Sequence, residues 1–196
     1  MKINPQGVEI QNRDVQTLFR SLERSELKLD DAELFLDFPM YKGDDDNLVI
    51  SQILMVSPYY GVIVFYSSSA NEYNIPQLHK DDKSLERVAG FVVSRLIKND
   101  QLRKGMMGFA LPVNSLLFAP LLDSDNRNID NLRNPVVTTE KQLIDTISSF
   151  ETDFPERLFY ESISTIQGAK GLLKPEDRNA DSLSPDSKAA RITQVG

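Results

Sequence analysis

Leu48-Val49-Ile50-Ser51-Gln52-Ile53-Leu54-Met55-Val56, then Ser57-Pro58-Tyr59-Tyr60-Gly61, then Val62-Ile63-Val64-Phe65-Tyr66 is the stretch that decides the fold. Two short apolar runs, rich in β-branched and aromatic residues, flank a Ser-Pro turn that closes on glycine. That pattern predicts a hairpin of two buried strands, Leu48 to Val56 and Val62 to Tyr66. Upstream, Glu33 to Phe38 reads as a strand with Leu34, Leu36 and Phe38 on one side, stopped by Pro39. Before it, Val15, Leu18, Phe19 and Leu22 share one helical face, with Asn12 as N-cap and Asp14 suited to the helix N-terminus. Between strand and hairpin, Lys42 to Asn47 is turn chemistry.

Downstream, a loop is expected from Ser67 to about Asp82. A helix follows, in which Leu85, Val88, Ala89, Val92, Val93, Leu96 and Ile97 repeat at helical spacing, capped by Asp82 or Ser84. Phe109 to Leu122 holds a further strand around Val113 to Phe118. Asp123 to Asn134 is a polar surface loop, and Val136-Val137 is a short strand. Thr139, with Gln142 three residues on, opens a helix whose face is Leu143, Ile144, Ile147 and Phe150. A last helix starts near Pro155, turns Phe159, Ile163 and Ile166 inward, and stops at Gly168.

The whole chain has 196 residues, room for one domain or a domain with a tail. The division predicted is a domain over 1–167 and a polar linker or tail over 168–196, since from Lys174 the composition is that of a linker. Cysteine is absent and His79 is the single histidine, which excludes disulfides, thiolate zinc sites and any site needing two imidazoles. No apolar run approaches the roughly 18 residues of a membrane span. The start, Met1-Lys2-Ile3-Asn4-Pro5, lacks the apolar stretch of a signal peptide. A cytoplasmic location is the expectation. Twenty-two basic against 29 acidic residues leave a net charge of −7, which opposes autonomous tight binding to a polyanion.

The element order helix-strand-strand-strand-helix-strand resembles the core of the PD-(D/E)XK nucleases. Ile53 to Pro58 followed by Gly61 to Phe65 is similar to the nuclease-related (NERD-type) domain. Together these span residues 10–150. Ser162-Ile163-Ser164-Thr165-Ile166-Gln167-Gly168 and the linker after it are similar to the segment that precedes the motor in some UvrD-like superfamily 1 helicases. The resemblance implies an α/β fold, a mixed β-sheet flanked by helices around a restriction-endonuclease-like αβββαβ core. It also implies a metal site made by one carboxylate on the second strand and another on the third, with a lysine two residues on that shares the second carboxylate's face.

In this chain those three positions are Gln52, Tyr66 and Ser68. A shift of register changes nothing, because the 25 residues from Asn47 to Asn71 contain no charged side chain. Glutamine, tyrosine and serine do not replace anionic metal ligands. The resemblance therefore implies a degenerate nuclease site, without catalysis, metal or cofactor. The expected work is that of an accessory or interaction module beside a helicase-like motor that lies outside the chain, with DNA as a weakly held partner.

Two alternatives stand beside it. One is a metal-dependent nuclease whose carboxylates have migrated to Glu33, Asp37 or Asp46, with Glu26 near the first two. The other is a free-standing protein-interaction module, which the acidic balance favours. The candidates for nucleic-acid contact are the cations Arg95, Lys98, Arg103 and Lys104, and the rings of Tyr59 and Tyr60 as a stacking platform. The blander expectations are a solvated turn for Asp44-Asp45-Asp46, a surface site for His79 beside Lys80, and a plain turn for Gly105-Met106-Met107-Gly108, which lacks the lysine of a phosphate loop.

Overall fold

The structure, a computed structural model, describes residues 1–38, 40–42, 46–104, 108–109, 112–123, 129 and 131–168. Residues from 169 on, Asp44, Asp45 and residues 105–107, where a linker and turns were expected, lie outside the described residues.

The strands are β1 (Lys2–Asn4), β2 (Glu33–Leu36), β3 (Met40–Lys42), β4 (Leu48–Ile50), β5 (Ile53–Ser57), β6 (Gly61–Ser67), β7 (Arg103–Lys104), β8 (Gly108–Phe109), β9 (Val113–Phe118) and β10 (Val136–Val137). The helices are α1 (Arg13–Arg24), α2 (Ile75–Leu96), α3 (Glu140–Ser149) and α4 (Glu156–Gly168). A six-stranded mixed sheet runs β1-β2-β5-β6-β9-β10. Within it β5 is antiparallel to β2 and β6, and the remaining pairs are parallel. The sequence α1-β2-β5-β6-α2-β9 is the predicted αβββαβ order.

The central strands are apolar without alternation because both of their faces are covered. On one face Leu54, Val56, Val62 and Val64 pack with Leu78, Leu85 and Val92 of α2 and Phe159 and Ile163 of α4. On the other, Ile53, Met55, Ile63 and Phe65 meet Val15, Leu18 and Leu22 of α1 and Leu143 and Ile147 of α3. The hairpin between β5 and β6 is held by Ser57, whose Oγ accepts from the backbone N–H of Tyr59 (3.1 Å) and of Tyr60 (3.2 Å). Gly61 is required there. Its φ is +73°, and a Cβ would lie 2.7 Å from Pro112 Cγ and from the Pro112 carbonyl oxygen.

Several expectations are corrected. Leu48 to Val56 is two strands: β4 leaves the main sheet to pair with β3, and β5 resumes after Ser51 and Gln52. Phe38 does not share a face with Leu34 and Leu36. Asp37 takes a left-handed φ of 51°, the alternation breaks there, and Phe38 turns to the opposite core against Phe35, ring centroids 5.8 Å apart. The stretch from Ile75 to Asp82 is helix, not loop, so Asp82 lies inside α2 and caps nothing. The helix opens after Asn74 with Pro76 in its first turn, a start that proline's fixed φ favours. β1 is an added edge strand, parallel to β2. The caps expected at Asn12 and Thr139 are present. Asn12 accepts from the N–H of Asp14 and Val15, and Thr139 from that of Gln142.

Candidate functional site

Strand register places Leu36, Ile53 and Phe65 abreast at one end of the sheet. Gln52, Tyr66 and Ser68 sit just beyond, so the three sequence-predicted positions converge. Each is engaged with the protein itself. Gln52 Oε1 accepts from the Ser67 N–H (2.7 Å), and the Gln52 carbonyl accepts from the Asp37 N–H (3.0 Å). Ser68 Oγ donates to Asp81 Oδ2 on α2 (2.5 Å). Tyr66 reaches the same carboxylate. Burial first, then the Asp81 charge and a hydrogen bond to it, hold the Tyr66 phenol above its ordinary value of 10.0. Tyr66 and Ser68 thus share the α2 side, as positions two apart on a strand should. Between them, Ser67 Oγ donates to the Asp14 carbonyl on the α1 side (2.8 Å).

Sequence reasoning missed Asp81 and took Asp82 for a helix cap, whereas the two are 4% and 3% exposed. Asp81 also accepts from Gln77 Nε2 (2.8 Å). Asp82 accepts from the backbone N–H groups of Arg133 (2.9 Å) and Asn134 (3.0 Å) and from Asn134 Nδ2 (2.7 Å). It ties α2 to the segment entering β10. One signal was available: adjacent aspartates four and three residues before Leu85 continue the helical register into a polar stretch.

On the α1 side of this end, a cleft of about 230 Å³ is lined by Asn12, Val15, Leu36, Asp37 and Gln52 among others. Its chemistry is amide, carboxylate and aliphatic. The migrated-carboxylate alternative is not assembled. Glu33 opens β2 and Asp37 follows its end, about 13 Å of strand apart. Glu33 pairs with Lys2 at 3.5 Å, Asp46 pairs with Lys42 at 2.8 Å, and Glu26 is exposed. Among the described residues no three His, Asp or Glu side chains are grouped as metal ligands would be.

The predicted cations are only partly brought together. Arg95 and Lys98 line a cleft of about 480 Å³ with Asn99, Glu161 and Thr165, between the end of α2 and α4. Asn99 Nδ2 donates across it to Glu161 Oε2 (3.0 Å) and Thr165 Oγ1 (2.8 Å). Arg95 stacks on Phe91 at 5.0 Å. Arg103 lies outside this lining and is ion-paired with Asp100. Lys104 ends β7, and its side chain lies outside the described residues. Tyr60 is buried and its hydroxyl accepts from the Lys28 N–H (3.1 Å), so no stacking platform forms with Tyr59. His79 is half-buried on α2.

No family model, curated protein or solved structure matches this chain. The fold and site define it as an α/β domain with a mixed six-stranded sheet between two helical layers. Among the described residues no helix is long and apolar enough to cross a membrane.

Proposed function

We propose that this chain is a non-catalytic, nuclease-like accessory module that works in the cytoplasm beside a superfamily 1 helicase-like motor, touching DNA weakly and docking protein. The observation that carries this is the engagement of Gln52 and Ser68. Where a nuclease-related domain would present a carboxylate and a lysine to metal and water, these side chains are spent on Ser67 N–H and on Asp81. The DNA contact is supported by Arg95 and Lys98 facing a cleft of about 480 Å³. With a net charge of −7, attraction to phosphates is local and sensitive to salt.

The test pairs a cleavage assay with a binding assay. Incubated with plasmid, single-stranded DNA and RNA in magnesium or manganese, the chain is expected to cleave none of them. Its DNA binding is expected to fall steeply between about 50 and 200 mM salt. Replacing Lys98, Arg103 and Lys104 together with alanine should remove the remainder. Metal-dependent cleavage abolished by Asp37→Ala or Asp46→Ala would instead establish a nuclease with migrated carboxylates.

A further inference from the structure

At the other end of the sheet, where Glu33, Val56 and Val62 stand abreast, a groove of about 460 Å³ opens between the turn before β2, the β5–β6 turn and the first turns of α4. Lys2 of β1 and three further segments distant in sequence build it. Asp30, Asp31 and Glu33 come from the first, Tyr59 from the second and Glu156 and Tyr160 from the third. We infer that this groove docks an arginine-bearing basic segment of a partner protein.

Charge and aromatic surface coincide here. Glu33 is paired with Lys2, whereas Asp30, Asp31 and Glu156 have exposed side chains and no ion pair among the described residues. Among the described lining residues Lys2 is the single cationic side chain, and the Met1 ammonium donates to the Asp30 carbonyl beside it (2.6 Å). An anionic occupant would sit against three carboxylates that make no ion pair among the described residues. A cationic one relieves them.

The rings favour the same occupant. Tyr59 is 38% exposed and Tyr160 57%, and both border the groove. The Tyr59 face already draws a cation, Lys28 Nζ, 5.2 Å from the ring centroid. Tyr160 stands edge-on to Phe159, centroids 5.2 Å apart and planes at 70°. Phe159 is itself nearly buried and anchors that ring. A guanidinium satisfies both kinds of lining, stacking on tyrosine and forking onto carboxylate, which an ammonium does less well.

The walls are held by the fold. The Ala32 carbonyl accepts from the Lys2 N–H (2.8 Å), and the Tyr59 carbonyl accepts from the Thr152 N–H (2.8 Å), which fastens the turn to the entry of α4. Such preorganisation lowers the ordering cost of docking. This inference is independent of the nuclease-like reading, because the groove lies at the opposite end of the sheet from Gln52 and Ser68.

Capped tetra-arginine, tetralysine and tetraglutamate peptides, titrated into the full-length chain with amide chemical shifts followed, test it. Tetra-arginine is expected to bind more tightly than tetralysine, to shift Asp31, Tyr59 and Tyr160, and to weaken with salt. Tetraglutamate should not bind. Tyr160→Ala should weaken arginine binding about fivefold. The pair Asp31→Asn and Glu156→Gln should weaken it about fivefold or more. A control of equal charge at exposed sites elsewhere, Glu23→Gln with Glu72→Gln, should change it less than about twofold. All these residues are exposed, so unchanged circular dichroism verifies that the variants fold. Equal weakening by the control pair would overturn the groove as the site, since attraction to the net charge alone behaves that way. So would shifts centred elsewhere. Concentration-dependent self-association that Tyr160→Ala abolishes, without peptide binding, would assign the groove to a second copy and overturn the partner.

Discussion

Aspartates near the Gln52–Ser67 end of the sheet are buried and accept hydrogen bonds from named groups on three segments, whereas carboxylates at the Glu33–Gly61 end stand exposed beside free tyrosine edges. The residue types are alike and the environments are not. Asp81 and Asp82 satisfy buried donors, and that requirement explains their presence in the helix. Among the described residues the side chains of Asp31 and Glu156 make no hydrogen bond or ion pair, so they are open to an outside group. The difference shows that a carboxylate's role in this chain follows from its partners.

The largest effect that would sharpen this contrast is expected from Asp82→Ala. It leaves the N–H groups of Arg133 and Asn134 without their acceptor in a part-buried site, and should cost about 3 kcal/mol in urea unfolding. A loss near zero would erase the distinction between the two ends. Next comes Ser51→Ala. Ser51 Oγ is buried, and among the described residues it has no hydrogen-bond partner. Removing it should stabilise the protein by about 1 kcal/mol, read as a raised denaturation midpoint.

A smaller effect, confined to alkaline pH, concerns Tyr66. Its folded value lies above the ordinary 10.0, so the folded state holds the proton more firmly than the unfolded chain. The stability this confers is fully present below pH 10 and is lost as pH rises through the folded value. A phenolate absorbance titration against Tyr66→Phe isolates this group among the 6 tyrosines. Asp81→Asn should lower the Tyr66 value, and an unchanged titration would remove Asp81 as a cause. The smallest effect is at the open end, where Asp31→Asn with Glu156→Gln should alter stability by less than about 0.5 kcal/mol. A larger loss would mean these side chains do structural work.

Much of the fold was legible because it depends on local pattern. The run from Ile53 to Tyr66 is too apolar and too β-branched to be anything but a buried hairpin, and Val15, Leu18 and Leu22 mark one helical face by spacing alone. Gln52, Tyr66 and Ser68 were singled out from a resemblance, and that they converge at one end of the sheet follows from the break after Ile50 and the strand register. The first two turns of α2 were not. From Ile75 to Asp82 only Ile75 and Leu78 carry an apolar signal, and the aspartates are accommodated by Ser68, Arg133 and Asn134 across 13 to 52 residues of chain.

By itself, then, the sequence determined the hairpin, the helical faces, the caps at Asn12 and Thr139, and the uncharged stretch from Asn47 to Asn71, all set by neighbours within a few residues. Only the tertiary structure decided that Leu48 to Val56 is two strands, that Phe38 enters the second core, that Asp81 and Asp82 are buried, and that Tyr59, Asp31 and Tyr160 border one groove. Those outcomes depend on a left-handed residue at Asp37 and on contacts between distant segments, which no local periodicity encodes.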